Sequence, residues 1–313
     1  MTKLLVTGAL GHIGSKFIRE IKPGDFEKVV LFDNLSTQRY SSLFHLPDGI
    51  PFEFVEGDIL GREMAPCFRD ADVVLHLAAV TNAEASFDSP LDVERVNVEG
   101  TRRIAELCCE FQSRLIFPST TSVYGSQESL VDETCPVLLP QSPYAESKLR
   151  CEALIQEAGK SQGLKFVIFR FGTVFGPSPG MRFHTAINKF IWQACTGKPL
   201  TVWRTALDQK RPYLDLTDAA RAVSFAVQKK CYDNEIYNVL TGNFTVREIV
   251  DVIRGVVPAL SVEYVDSKIM NQLSYEVSCE KFKERGFTFY GDLKAQVRET
   301  VRWLKNTAGA DGS

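Results

Sequence analysis

Residues 4–18 read LLVTGALGHIGSKFI, and the reading of this stretch decides the fold. Apolar residues lead straight into Gly8, Gly11 and Gly14, spaced three apart, with a helical pattern directly behind them. Glycine suits a backbone that takes positive φ or that another group must approach closely. A strand passing through such a turn into a helix presents free N–H groups and a dipole that favours an anion. The glycines alone leave two readings open, a phosphate cradle and a plain turn.

The next strand decides between them. A second strand-like run, KVVLFDN, ends in an acid, Asp33, close to where a dinucleotide fold places the carboxylate that holds the ribose hydroxyls. The spacing is GxxGxxG rather than GxGxxG. With a strand on each side and Asp33 in place, the stretch reads as a dinucleotide cradle. A carboxylate at that position repels a 2′-phosphate, so the expected cofactor is NAD rather than NADP.

Composition narrows the rest. The chain has 313 residues, 44% of them hydrophobic, with a net charge of −3. That is enough for a substantial core, and it offers no basic field for nucleic acid or an anionic membrane. No apolar run reaches the ~18–20 residues of a membrane span, and the N-terminus does not read as a signal peptide. Of eight cysteines, Cys108, Cys109, Cys151 and Cys195 lie in helix-like stretches and none forms a CxxC pair. They read as thiols of a reducing, cytoplasmic protein, with no metal site expected.

Along the first half, KLLVTG, KVVLFD, FEFVEGD, DVVLHLAA, RLIFPST and KFVIFRF alternate with helical stretches such as Gly14–Ile21, Pro90–Phe111 and Tyr144–Ala158. Runs apolar on both faces suit a parallel sheet covered on both sides. The expected fold is α/β, a doubly wound parallel Rossmann sheet with a smaller mixed α/β lobe. Residues 1–172 form the expected NAD-binding core. RPYLDLTDAARAVSFAVQ and EIYNVL, within about 212–240, read as a helix and a strand returning to it, and 173–211 and 241–313 form the substrate lobe. The tail NTAGADGS reads as frayed.

Taken together, TGALGHIG, DNLS, GDI, HLAA, NVEGT, STTSVYG, YAESK, FRFGTVFGP and RPYLDLTDAA resemble the extended short-chain dehydrogenase/reductase family, in particular its nucleotide-sugar epimerases and dehydratases. The resemblance runs through most of the chain. It implies that Gly8, Gly11, His12, Ile13 and Gly14 cradle the cofactor, with Asp33, Asn34, Leu35 and Ser36 at its ribose. Asp58 and Ile59 would flank the adenine. Leu77, Ala78 and Ala79 would line the groove, Asn97 would support it, and Ser119 and Phe171 would lie toward its reactive end. His12 stands where the family usually has an aromatic; it and His76 read as structural.

YAESK puts Tyr144 and Lys148 four residues apart, on one face of a helix. A phenol with a free pKa near ~10 is a poor base at neutral pH, and a nearby ammonium favours its ionised form. The resemblance makes Thr120 the hydroxyl that hydrogen-bonds the reacting sugar oxygen and relays a proton to Tyr144. Tyr124 reads either as a pocket wall or as packing. The 4,6-dehydratases of the family carry Asp-Glu after that hydroxyl, and this chain has Thr121 and Ser122. That argues against 4,6-dehydration and decarboxylation and for reversible oxidation at C4.

On the substrate side, the resemblance implies Trp203 against the nucleotide base and Arg211 on the diphosphate. Thr81, Thr120, Thr121, Tyr144, Thr173, Arg182 and Asn188 complete the expected sugar contacts. Thr173 replaces a usual Asn, RTALDQ replaces the family's GDGxQ loop, and Lys268 is the nearest match to a late clamp arginine. The expected function is an NAD-dependent nucleotide-sugar 4-epimerase, UDP-sugars favoured, working as a homodimer through the helices Pro90–Phe111 and Tyr144–Ala158. Ile104, Leu107, Leu149 and Leu154 are the apolar residues expected to exceed one core face. Other outcomes of the same oxidation are a 4-dehydrogenase, a 3,5- or 5-epimerase and a 5,6-dehydratase, with Cys135, Cys151 or His184 as extra acid or base. A cofactor-binding regulator without turnover would have lost Tyr144, Lys148 or Asp33, and all three are present.

Overall fold

The computed structural model of the protein describes residues 2–127, 130–266 and 274–305. Its centre is a seven-stranded sheet in which every pairing is parallel. Strands β1 (Lys3–Thr7), β2 (Lys28–Asp33), β3 (Phe52–Glu56), β4 (Val73–His76) and β5 (Arg114–Thr120) are joined by Phe166–Phe171 and Glu235–Val239. The order across the sheet is β3-β2-β1-β4-β5, then Phe166–Phe171, then Glu235–Val239. The order reverses between β1 and β4, and in such sheets ligands bind at that crevice, outside the carboxyl ends of the strands.

All six runs expected as strands in the first half are strands, and EIYNVL supplies the seventh. They are apolar on both faces because helices cover both. His12–Glu20 and Leu216–Lys229 bury Phe17, Ile18, Ala219 and Val223 on one side. Gly100–Phe111 and Pro143–Gln162 bury Ile104, Cys108, Cys151 and Ile155 on the other. Ile104 and Leu107 are therefore used by the protein's own core and are not free for a partner.

Two expectations change in detail. The stretch RPYLD is not helical. Lys210–Asp215 is the middle strand of a three-stranded sheet with Thr173–Phe175 and Gly242–Thr245, and the helix starts at Leu216 with Asp215 as its N-cap. The single helix expected over Pro90–Phe111 is three segments: Pro90–Val93, a π-helical Glu94–Glu99, and Gly100–Phe111. Beyond the central sheet, the helices Ala186–Cys195, Val246–Arg254 and Leu293–Lys305 close a third core around Phe175, Ile191, Ile249 and Val297.

Candidate active site

The glycine turn is tight for a stereochemical reason. Gly8 has φ +66°, and a Cβ there would lie 2.6 Å from the Ala78 nitrogen. β1 and the loop after β4 thus meet backbone to backbone, and Gly11 caps the helix that begins at His12. Asp33, at the end of β2, accepts from the Leu10 N–H through Oδ2 at 3.0 Å and from the Leu35 N–H through Oδ1 at 2.9 Å. These bonds hold its carboxylate at the rim of the glycine turn.

A groove runs across this crevice. Gly8, Gly11, His12, Ile13, Gly14, Asp33, Asn34, Ser36, Asp58, Ile59, Leu77, Ala78, Ala79 and Thr81 border it, as does Arg182. Leu35 does not: its side chain is buried in the core, and its contribution is the N–H held by Asp33. Asn97 is 1% exposed and lies behind the groove. Its side chain accepts from the Val80 N–H at 2.8 Å, and donates to the Val80 carbonyl at 3.0 Å and to Ser147 Oγ at 2.9 Å. The π segment sets Asn97 where it braces both the loop after β4 and the helix Pro143–Gln162, a common use of such segments at functional sites. Thr37, Arg39, Asp92 and Arg95 also border the groove, and no spacing in the sequence signals them.

Adjoining the groove is a cavity that shares Ile13, Leu77, Thr81 and Arg182 with it. Ser119, Thr120, Tyr144, Lys148, Phe171, Thr173, Trp203 and Arg211 line it. The helix bearing Tyr144 and Lys148 is started by Ser142, whose Oγ accepts from the Ala145 N–H at 3.2 Å, with Pro143 at its first turn. Thr120, at the end of β5, accepts from the Ser122 N–H at 3.1 Å, donates to Ser122 Oγ at 3.1 Å, and lines the cavity together with Tyr144.

Lys148 donates through Nζ to the Pro118 carbonyl at 2.9 Å. Burial lowers its pKa to about 8, with Cys151 and Glu152 opposing and Arg182 assisting. Burial raises the Tyr144 pKa, while the charge of Arg182 and the Thr120 hydrogen bond lower it.

Two residues expected at the sugar lie elsewhere. Thr121 is 2% exposed and turned inward; its Oγ1 donates to the Phe171 carbonyl at 3.3 Å and meets Tyr275 Oη at 3.4 Å. Asn188 is fully buried, accepting from the Gly176 N–H at 3.2 Å and donating to the Arg182 carbonyl at 3.0 Å, so it shapes the loop that presents Arg182. Ser122 and His184 line the cavity, and Tyr275 stands behind Thr121. Tyr275 comes from far along the chain, so no local spacing reveals it. Lys268 lies outside the described residues.

Of the groups considered as extra acids or bases, Cys151 donates to the Asn97 carbonyl at 3.2 Å and Cys135 to that of Val137 at 3.3 Å. Burial, then Arg182, lowers the pKa of His184 to about 4. His12 and His76 are buried and neutral, each lowered to about 3, chiefly by burial. His12 bonds the Gly176 carbonyl at 2.9 Å and His76 the Thr7 hydroxyl at 2.7 Å, so both are structural. Among the described residues no group of three or more metal-ligating side chains converges, and no helix is long and apolar enough to cross a membrane.

The residues present fit NAD. Gly8, Gly11 and Gly14, at a helix start, border the groove, and an acid stands at the second strand end, where it would repel a 2′-phosphate. Known proteins agree. A trifunctional UDP-glucose 4,6-dehydratase/UDP-4-keto-6-deoxy-D-glucose 3,5-epimerase/UDP-4-keto-L-rhamnose-reductase of Arabidopsis thaliana is 28% identical over 319 residues, which cover 96% of this chain and 47% of that one. The chain therefore spans about half the length of such a relative. The uncharacterized UDP-glucose epimerase YtcB of Bacillus subtilis (strain 168) is 31% identical over 246 residues, 76% of each protein. The structure of the Thermus thermophilus UDP-glucose 4-epimerase in complex with NAD superposes with a TM-score of 0.85 at 28% identity, covering 99% of this chain and 100% of that one. Residues 4–239 match the model of one family, and with that match the glycine turn, the acid at Asp33 and the Thr-Tyr-Lys cavity have a common origin: the chain belongs to the NAD dependent epimerase/dehydratase family.

Proposed function

We propose that the protein is a nucleotide-sugar 4-epimerase, with UDP-sugars favoured, that oxidises its substrate transiently at C4. One observation carries the reading. Thr120 and Tyr144 line one cavity, which adjoins the groove, and the turn after Thr120 offers hydroxyls in place of an acid-base pair of carboxylates.

When bound, NAD supplies the acceptor and then the donor of the C4 hydride. Tyr144 takes the proton of the C4 hydroxyl, and Thr120 holds that oxygen and relays the proton. Trp203 and Arg211, across the cavity, receive the base and the diphosphate; a guanidinium suits the latter through its forked donors. Held by its nucleotide, the 4-keto sugar turns its other face to the groove, and Tyr144 returns the proton. Elimination of water needs a further carboxyl acid and base, and Thr121 and Ser122 provide neither.

The division of labour belongs to the same proposal: residues 1–172 with about 212–240 hold the cofactor, and 173–211 with the chain from 241 onward hold the substrate. So do a cytoplasmic location, which suits free thiols, and a homodimer. The dimer is supported by Leu91, 83% exposed, beside the bidentate Arg150–Glu94 pair that ties the two outer helices together at 2.6 and 2.7 Å. Sedimentation at micromolar concentration tests it, and a 35.0 kDa species would reject it.

The activity is tested with a panel of UDP-, GDP-, CDP- and dTDP-sugars, the products read by mass and NMR. An unchanged mass with a new sugar signal is expected. Loss of one water would overturn the reading.

A further inference from the structure

The loop that carries Arg182 to the cavity is fastened to the helix His12–Glu20, which starts at the groove. The loop begins at Gly176, at φ +118°, a conformation open to glycine. Its peptide is held from both sides: His12 donates through Nε2 to the Gly176 carbonyl at 2.9 Å, and Asn188 accepts from the Gly176 N–H at 3.2 Å. Asn188 also donates to the Arg182 carbonyl at 3.0 Å, so one buried side chain closes the loop at both ends. Between those ends, Ser178 Oγ donates to the His12 carbonyl at 3.0 Å, and the Gly180 N–H donates to Ser15 Oγ at 2.9 Å. Gly180 lies so close to the glycine turn that a Cβ there would be 2.3 Å from the Leu10 carbonyl oxygen and 2.5 Å from that of Gly11. Arg182 ends the loop where groove and cavity meet, its Nη1 donating to Thr81 Oγ1 at 2.6 Å.

We propose that His12 is a positioning residue: its imidazole ties the loop Gly176–Arg182 to the cofactor-binding helix and, through Gly176 and Asn188, sets where Arg182 stands at the cavity. The ring suits that task. Its partner at Nε2 is a carbonyl, so that nitrogen carries the hydrogen, and the buried Nδ1 has no partner among the described residues. A phenyl ring in its place would fill similar space and offer the Gly176 carbonyl no donor. His12 also borders the groove, so one side chain touches both the cofactor site and the loop. Its effect on substrate rests on the reading that a sugar nucleotide occupies the cavity beside Arg182. The fastening of the loop does not depend on that reading.

The test is the rate of tryptic cleavage after Arg182 in the NAD-loaded protein, with the fragments identified by mass. Cleavage of a native loop follows the population of its open form when opening and closing are fast. His12→Phe leaves a buried carbonyl without its donor, and should raise cleavage after Arg182 about 5-fold or more while other sites are cut as before. His12→Gln, whose amide N–H reaches toward the same carbonyl, should bring the rate back toward wild type. A wild-type rate in His12→Phe, an equal rise at every site, or no rescue by His12→Gln would overturn the proposal. Should His12→Phe not fold by circular dichroism, Ser178→Ala decides: it removes the bond to the His12 carbonyl, and unchanged cleavage there also overturns it. Equilibrium titration of the NAD-loaded proteins with UDP-glucose reads the consequence at the cavity. Binding should weaken in His12→Phe and recover in His12→Gln; unchanged binding in a variant that is cut faster would overturn the link to the cavity. Failure of the wild type to bind UDP-glucose would count against the UDP-sugar reading, and the cleavage rates, measured without sugar, would still decide the role of His12.

Discussion

Arg170 grips the carboxylate of Glu152 at 2.7 Å beneath the end of β5, and the two side chains are 5% and 2% exposed. The pair is the centre of a buried chain of hydrogen bonds. Ser119 Oγ donates to Glu152 Oε1 at 2.5 Å, Arg170 Nη1 donates to the Tyr124 hydroxyl at 2.9 Å, and that hydroxyl donates to Asn238 Oδ1 at 2.9 Å. Burial works against the Arg170 charge, yet Glu152 holds its pKa above the ordinary value. Tyr124, fully buried with its pKa pushed up to about 12 chiefly by burial, is packing and not a pocket wall. The network fixes the strand end from which Thr120 enters the cavity.

Glu152→Gln should therefore be strongly destabilising. Breaking a buried pair leaves an uncompensated charge and costs about 3–5 kcal/mol. Urea denaturation measures this. A loss under about 1 kcal/mol would show that the pair does not support the strand end.

Asp33→Ala should weaken NAD binding by roughly 10- to 100-fold, the range for hydrogen bonds to a charged group. Equilibrium titration checks it. A wild type that prefers NADP, or an unchanged dissociation constant in the variant, would remove Asp33 from the ribose.

Tyr144→Phe should lower the rate of NAD reduction by substrate about 10²–10⁴-fold, the span of general-base contributions, with the fold intact. Thr120→Ala should cost less, since water can stand in for a relay hydroxyl, and Thr120→Ser should stay active. Single-turnover absorbance at the reduced-cofactor band reads all three. A Thr120→Ala loss exceeding that of Tyr144→Phe would reverse the assigned roles.

Stability should fall in mild acid because of His12 and His76. Both have folded-state pKa values lowered to about 3, against 6.5 unfolded, so the unfolded chain binds the extra protons. Their contribution is intact above about pH 6.5 and is lost progressively as pH falls toward 3. One unit below 6.5 each should cost about 1.4 kcal/mol. His76→Asn should flatten the dependence of the melting temperature on pH between about 7 and 5; an equally steep slope in that variant would rule His76 out as a contributor.

The residues that are close together in the chain, and whose chemistry depends on local geometry, could be read without coordinates. Three glycines after an apolar run and an acid after the next strand specify a cradle because turn, helix start and strand end lie within one βαβ unit. Thr120 and Tyr144 are legible through the resemblance of STTSVYG and YAESK to the family's motifs, since their spacing alone would equally suit a turn and a solvated helix face. Tertiary structure alone decided how charge is distributed around them. That Lys148 donates to the Pro118 carbonyl depends on how the helix Pro143–Gln162 packs on β5. Arg182 borders the same cavity from the loop after Thr173–Phe175, held in place by Asn188 and Thr81. The π turn that aims Asn97 is invisible to a search for one 3.6-residue pattern over Pro90–Phe111, because the helix changes phase at Glu94–Glu99. Side-chain direction in a buried site is set by packing and by the cost of an unpaired polar atom, and both are sums over residues far apart in the chain.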